Sequence, residues 1–141
     1  MRAQIVLILL LLMLALPLAT AASSKYYTIP NAEIDMRIFG DGHADVNETF
    51  TMRFNGSYSF AYRDIPNGEW RISDVSVTEN DQPVPFTLAP NGNSQRIRWT
   101  YTANYETRVF TLHYRLENAV TAYDDVGALN WKVWGDGWDP G

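Results

Sequence analysis

The sequence predicts an all-β protein, an antiparallel β-sandwich of about 7–9 strands behind an N-terminal signal segment. Three observations carry that expectation. Apolar residues alternate with polar ones over stretches of strand length. Pairs rich in Gly, Asn, Asp and Pro punctuate those stretches. No helical period and no solenoid-length repeat appears after the first apolar run.

The elements follow in chain order. Met1-Arg2 is a short basic start, and Ile5–Leu16 is an unbroken apolar run closed by Pro17. Ala19-Thr20-Ala21 then gives the small-x-small pattern of a signal-peptidase site, so residues 1–21 read as a cleaved signal peptide. The alternative, an uncleaved anchor, needs about 20 apolar residues, and this run is shorter. Ile34, Met36 and Ile38 form the first stripe, and Asp41-Gly42 suits a tight turn. Val46, Phe50, Met52 and Phe54 form the return stripe, and Asn55-Gly56 makes the next turn. Trp70 and Ile72 share one parity and Val75 and Val77 the other, which predicts a bulge near Ser73-Asp74. Asn80-Asp81 turns the chain. Val84, Phe86 and Leu88 alternate with Pro83 and Pro85, the mark of an edge strand, and residues 89–93 read as a loop. Ile97, Trp99 and Tyr101 form the next stripe, with Arg96, Arg98 and Thr100 opposite. Phe110, Leu112, Tyr114 and Leu116 form another, and Leu129, Trp131 and Val133 close the series. The sandwich is expected to occupy residues 25–141.

Composition narrows the function classes. A chain of 141 residues holds one ordinary domain. Its 46% apolar content is that of a globular protein. The formal charge of −5 argues against nucleic acid as the main partner, because phosphate binding needs clustered Lys and Arg. With no cysteine there is no disulfide, thiolate catalysis, Cys-type zinc site or lipidated Cys. Phe, Trp and Tyr make up 13% of the residues, and none lies before residue 22, so the mature part can build a core without disulfides.

Four blocks resemble one family. Tyr26-Tyr27-Thr28-Ile29-Pro30-Asn31 opens like it, and Gly42 to Thr49 is similar to its G-x-x-x-V-x-E hairpin return. Tyr62-Arg63-Asp64-Ile65-Pro66 resembles its Y-R-D-I-P block, and Tyr123 to Trp131, extended by Gly135 to Asp139, resembles its acidic and aromatic block. The family is that of the predicted membrane proteins known as domain of unknown function 2207. The blocks span nearly the whole mature chain in the family's order. Where members carry Glu-Leu-Tyr-Trp this chain has Ala128-Leu129-Asn130-Trp131, so no role for that Glu transfers. The resemblance implies an extracytoplasmic N-terminal domain of a membrane protein without an established activity. It also implies that the chain, ending at Asp139-Pro140-Gly141, is a truncation before transmembrane helices.

Glu48 is the first candidate site residue. Strict alternation places its carboxylate on the core face between Val46 and Phe50. A carboxylate there must be paired or hydrogen-bonded. Arg63 offers a planar fork for it, which predicts a structural polar network of Glu48 and Arg63, joined by Asp64. A bulge turning Glu48 to solvent is the competing reading, and both stay open. A general-acid role ranks below either.

The other candidates are weaker. His43 falls in a turn and His113 on a polar face, and no nucleophile elbow or His-x-x-x-His pair accompanies them. Neither is expected to catalyse or to bind metal. Asp41, Asp45, Asp124, Asp125, Asp136 and Asp139 read as turn residues before they read as calcium ligands. Trp131 fits the core, whereas Trp134 and Trp138 are out of phase or in a loop and are possible ligand-binding residues. Asn47 and Asn55 open glycosylation-type triplets, which are common by chance.

Three functions are compatible with these residues. The first is a non-catalytic ectodomain that binds or scaffolds at the cell envelope, with no cofactor and no metal. The second is a carbohydrate-binding module using Trp134 and Trp138. The third is a hydrolase pairing Asp64 with Asp124 or Asp125 across a cleft. The first is preferred, with a protein or glycan partner and a location on the outer side of the membrane.

Overall fold

The structure, a computed structural model, describes residues 24–122, 126–129 and 138–139, the last two through their main chain. Eleven strands lie among them: β1 (Tyr26–Ile38), β2 (Ala44–Asn55), β3 (Ser57–Pro66), β4 (Arg71–Glu79), β5 (Gln82–Pro83), β6 (Phe86–Asn91), β7 (Ser94–Asn104), β8 (Thr107–Glu117), β9 (Val120–Ala122), β10 (Gly127–Leu129) and β11 (Trp138–Asp139). They form a five-stranded sheet in the order β1-β2-β8-β4-β5 and a four-stranded sheet in the order β11-β3-β7-β6. A small β10-β9 ribbon accompanies them. Every pairing is antiparallel.

The two large sheets face each other, and alternation decides what lies between them. Val46, Phe50, Met52 and Phe54 of β2 are buried, as are Phe110, Leu112, Tyr114 and Leu116 of β8. Ile97, Trp99 and Ala103 of β7 and Ala61 and Ile65 of β3 close the core from the other sheet. The Trp99 and Phe110 rings meet across the layers at 5.9 Å between centroids. Each of these large side chains contributes about 1.5–3 kcal/mol by leaving water.

The turn chemistry is local. Asn80 and Asp81 both have positive φ, 48° and 62°, as a two-residue hairpin turn between Glu79 and Gln82 requires. The bulge expected near Ser73-Asp74 lies between Ser73 and Ser76, with Asp74 at φ 48°. Gly56 does different work. It has φ 125° and carries the chain from β2 in one sheet to β3 in the other. Tyr105, at φ 50°, does the same between β7 and β8. The two crossings lie side by side, because the Tyr105 N–H donates to the Gly56 carbonyl at 3.2 Å and the Phe54 N–H to the Glu106 carbonyl at 2.9 Å.

Three expectations are corrected. β1 begins at Tyr26, ahead of the Ile34 stripe, and absorbs Pro30 in a register shift between Thr28 and Asn31. The proline-flanked segment is not one edge strand. Gln82–Pro83 edges the five-stranded sheet and Phe86–Asn91 edges the other, so the chain changes layers between them. Val84 packs against the core, whereas Phe86 and Leu88 are exposed along the open margin of β6. Ala89 and Pro90 belong to β6, and Gly92 (φ 57°) makes the turn to β7. Trp131 and Val133, expected to continue the Leu129 stripe, lie outside the described residues, as do the signal segment and Trp134.

Candidate functional site

The most distinctive chemistry of the described residues lies inside the sandwich. Glu48 on β2 is fully buried, and Arg63 on β3 is 1% exposed. The carboxylate comes from the five-stranded sheet and the guanidinium from the facing one. Arg63 Nε donates to Glu48 Oε2 at 2.9 Å and Nη2 donates to Oε1 at 3.2 Å, a two-toothed pairing. Tyr114 of β8 donates its hydroxyl to Glu48 Oε1 at 2.7 Å. Arg63 Nη1 donates to the Asp64 carbonyl oxygen at 3.3 Å. A carboxylate removed from water needs such partners, since desolvation otherwise favours its neutral form. Burial first, and then the adjacent Glu48 charge, push the Tyr114 phenol far above its ordinary 10.0. Burial likewise raises the Tyr101 phenol.

Asp64 does not join this network through its side chain. Successive strand residues point to opposite faces, so Asp64 lies on the outer face of the four-stranded sheet. There it accepts two hydrogen bonds from Arg96, both at 2.7 Å, and one from Asn91 at 3.1 Å. The Arg96 guanidinium also lies over the Tyr62 ring, and Arg98 over Phe60, at 3.7 and 4.1 Å.

The outer face of the five-stranded sheet is polar. His113 Nδ1 and Asn47 Oδ1 lie 3.0 Å apart, and the Thr49 and Thr111 hydroxyls meet at 3.0 Å. Asp45 sits within β2 rather than in a turn, and Arg115 donates to it at 2.9 Å, holding its carboxyl below the ordinary value. His43 stacks on Phe39 in the β1–β2 turn, and its main-chain N–H donates to Asp41, lowering that carboxyl too. Among the described residues no three His, Asp or Glu side chains gather as a metal site. Asp124, Asp125, Asp136 and Trp134 lie outside those residues. Of Trp138 and Asp139 the structure describes only the main-chain pairing with Arg63 and Tyr62.

Hollows open at the end of the sandwich around Trp70. One of about 260 Å³ runs from Pro66 and Trp70 to Leu88 and Gln95. Another of about 480 Å³ lies between Glu69, Trp70, Ala119 and Thr121. The indole is fixed by its N–H bond to the Pro66 carbonyl at 3.1 Å and by close packing on Gly68. Neither Glu48 nor Arg63 lines these hollows. Two contributors escape sequence reasoning, Tyr114 and Trp70. The Tyr114 signal is a hydroxyl in an otherwise apolar stripe, which needs a buried acceptor.

No helix among the described residues is long and apolar enough to cross a membrane. The family model described as predicted membrane protein (DUF2207) N-terminal domain matches residues 28–140. No curated protein and no solved structure matches the chain.

Proposed function

The chain belongs to the predicted membrane protein (DUF2207) N-terminal domain family, and from that premise we propose that it is a non-catalytic extracytoplasmic domain that binds or scaffolds at the cell envelope. The observation that carries the non-catalytic reading is the state of Glu48. Its carboxylate is fully buried and accepts three hydrogen bonds from Arg63 and Tyr114. A general acid or base must reach a substrate proton within hydrogen-bond distance, and this one is turned to the inside of the fold. The Glu48–Arg63–Tyr114 group therefore fixes how the two sheets sit. Asp64, the acid offered for a hydrolase, is engaged by Arg96 and Asn91. The extracytoplasmic side is supported by the basic start, the Ile5–Leu16 run and the Ala19-Thr20-Ala21 pattern, read as a signal peptide cleaved after Ala21.

These 141 residues hold no cysteine, so a thiol introduced among them is the single one within the domain. Asp41→Cys, in the exposed β1–β2 turn, is expected to react with a membrane-impermeant maleimide on intact cells. Labelling only after lysis would overturn the extracytoplasmic reading. N-terminal sequencing of the mature protein is expected to begin at Ala22.

A further inference from the structure

Resting on the membrane reading above, we propose that the domain meets the lipid headgroups with one defined end, that of the Gly56 and Tyr105 crossings, and that Tyr26 and Tyr105 are its interfacial contacts. Chain direction is the first observation. β1 starts at Tyr26, paired with Asn55, so the chain enters the sandwich beside Gly56. β11 runs antiparallel to β3 with Trp138 opposite Arg63 and Asp139 opposite Tyr62, so the chain at Asp139 heads toward Ser57. Tyr62 to Ser57 is about 17 Å of extended strand. The start of β1 and the direction of β11 thus point to the same end, and the family is described as the N-terminal domain of a predicted membrane protein.

The side chains at that end are the second observation. Tyr26 is 54% exposed and Tyr105 64% exposed. Tyrosine, with an apolar ring and a polar tip, suits the boundary between headgroup and acyl chain. Tyr105 also holds a left-handed backbone, φ 50°, that a bulky residue seldom adopts. The crossing therefore presents a large aromatic side chain where glycine would relieve the strain. Lys25 lies over the Tyr58 ring at 4.4 Å and supplies a cation at the same end. Glu106 is paired with Arg108, which also binds Glu79, and Asp81 in the β4–β5 turn is the exposed acid on this side. The opposite end carries Asp41, Glu69, Glu117 and Asn118 in or beside its turns and strand ends, with Ile38 exposed at the end of β1.

The test uses the full-length protein in vesicles of phosphatidylethanolamine and phosphatidylglycerol that contain a nitroxide-headgroup lipid. A fluorophore is attached at Ser57→Cys or at Asp41→Cys. The expected result is loss of fluorescence at the Ser57 position and none at Asp41. Loss at Asp41, or at neither site in protein that floats with the vesicles, overturns the proposed orientation and leaves the membrane reading standing. Protein that fails to float with the vesicles sinks both. In the Ser57→Cys background, Tyr26→Ser with Tyr105→Ser is expected to restore fluorescence while flotation persists. Unchanged quenching there would remove the tyrosines from the contact.

Discussion

Replacing Glu48 and Arg63 singly and together by methionine tests whether the buried pair joins the sheets as described. Glu48→Met leaves the Arg63 guanidinium, 1% exposed, and the Tyr114 hydroxyl without the carboxylate that accepts from both. Breaking one side of a buried ion pair costs about 3–5 kcal/mol. Folded domains have about 5–15 kcal/mol in total, so either single change should remove a large fraction of the stability. With a urea dependence of about 2 kcal/mol per molar, the midpoint should fall by roughly 1.5–2.5 M. The double variant places two flexible apolar side chains where the charges were, and it should recover to within about 2 kcal/mol of the parent. Adding Tyr114→Phe removes the hydroxyl that donates to the Glu48 carboxylate in the parent and should recover more. Urea unfolding of the parent, the two single variants and the double variant, followed by tryptophan fluorescence, gives the coupling energy directly. Single losses below about 1 kcal/mol, or losses that simply add in the double variant, would refute the buried pairing.

Two further predictions concern the tyrosines and the Trp70 end. The Tyr101 and Tyr114 phenols are raised in the fold above their ordinary 10.0, chiefly by burial. Above that pH the unfolded chain releases protons that the folded chain retains, so stability is full below pH 10 and falls as pH rises further. A phenolate absorbance titration should show a step coincident with unfolding, and Tyr114→Phe should reduce it; a titration that completes without unfolding would contradict the burial. At Gly68 an added Cβ would sit 2.4 Å from the Trp70 ring. Gly68→Ala should therefore displace the indole and cost about 1–3 kcal/mol. Gly40→Ala, with nothing within 4 Å, is the control and should stay within about 0.5 kcal/mol in the same unfolding assay.

The fold was legible wherever one face of a strand is uniformly apolar. β2, β7 and β8 declare themselves through inward stripes such as Val46-Phe50-Met52 and Phe110-Leu112-Leu116. β3 does not, because a core position is filled by Arg63 and a register shift lies between Tyr58 and Phe60. The same cause explains the misplaced acid. Without β3 as a strand, Asp64 reads as a neighbour of Arg63 in a loop, whereas the pleat sends the two side chains to opposite faces. Glu48 was legible from parity, and the choice of Arg63 as its partner from carboxylate chemistry. Tyr114 was hidden by its apolar neighbours, since alternation registers burial and not the hydrogen bond that burial then requires. The proline-flanked segment misled because two prolines suit an edge equally well in either sheet.

The paired crossings at Gly56 and Tyr105 also set an order of events as the chain is made. β2 and β3 lie against β8 and β7, so the central ladders join segments far apart in sequence. Glu48 and Tyr114 are 66 residues apart, and Asp45 and Arg115 are 70. The β1–β2 hairpin can form as soon as Asn55 is available. Its partner strand β8 and the companion of β3 come from the last third of the chain. Until then, β2 has an unpaired inner edge and Arg63 lies in a segment without its ladder. Loop closure over such distances slows folding into the millisecond-to-second range typical of sandwiches. Synthesis at roughly 5–20 residues per second leaves the first half waiting several seconds for β7 and β8. That interval is when the hairpin is open to binding by a chaperone or by another copy of itself.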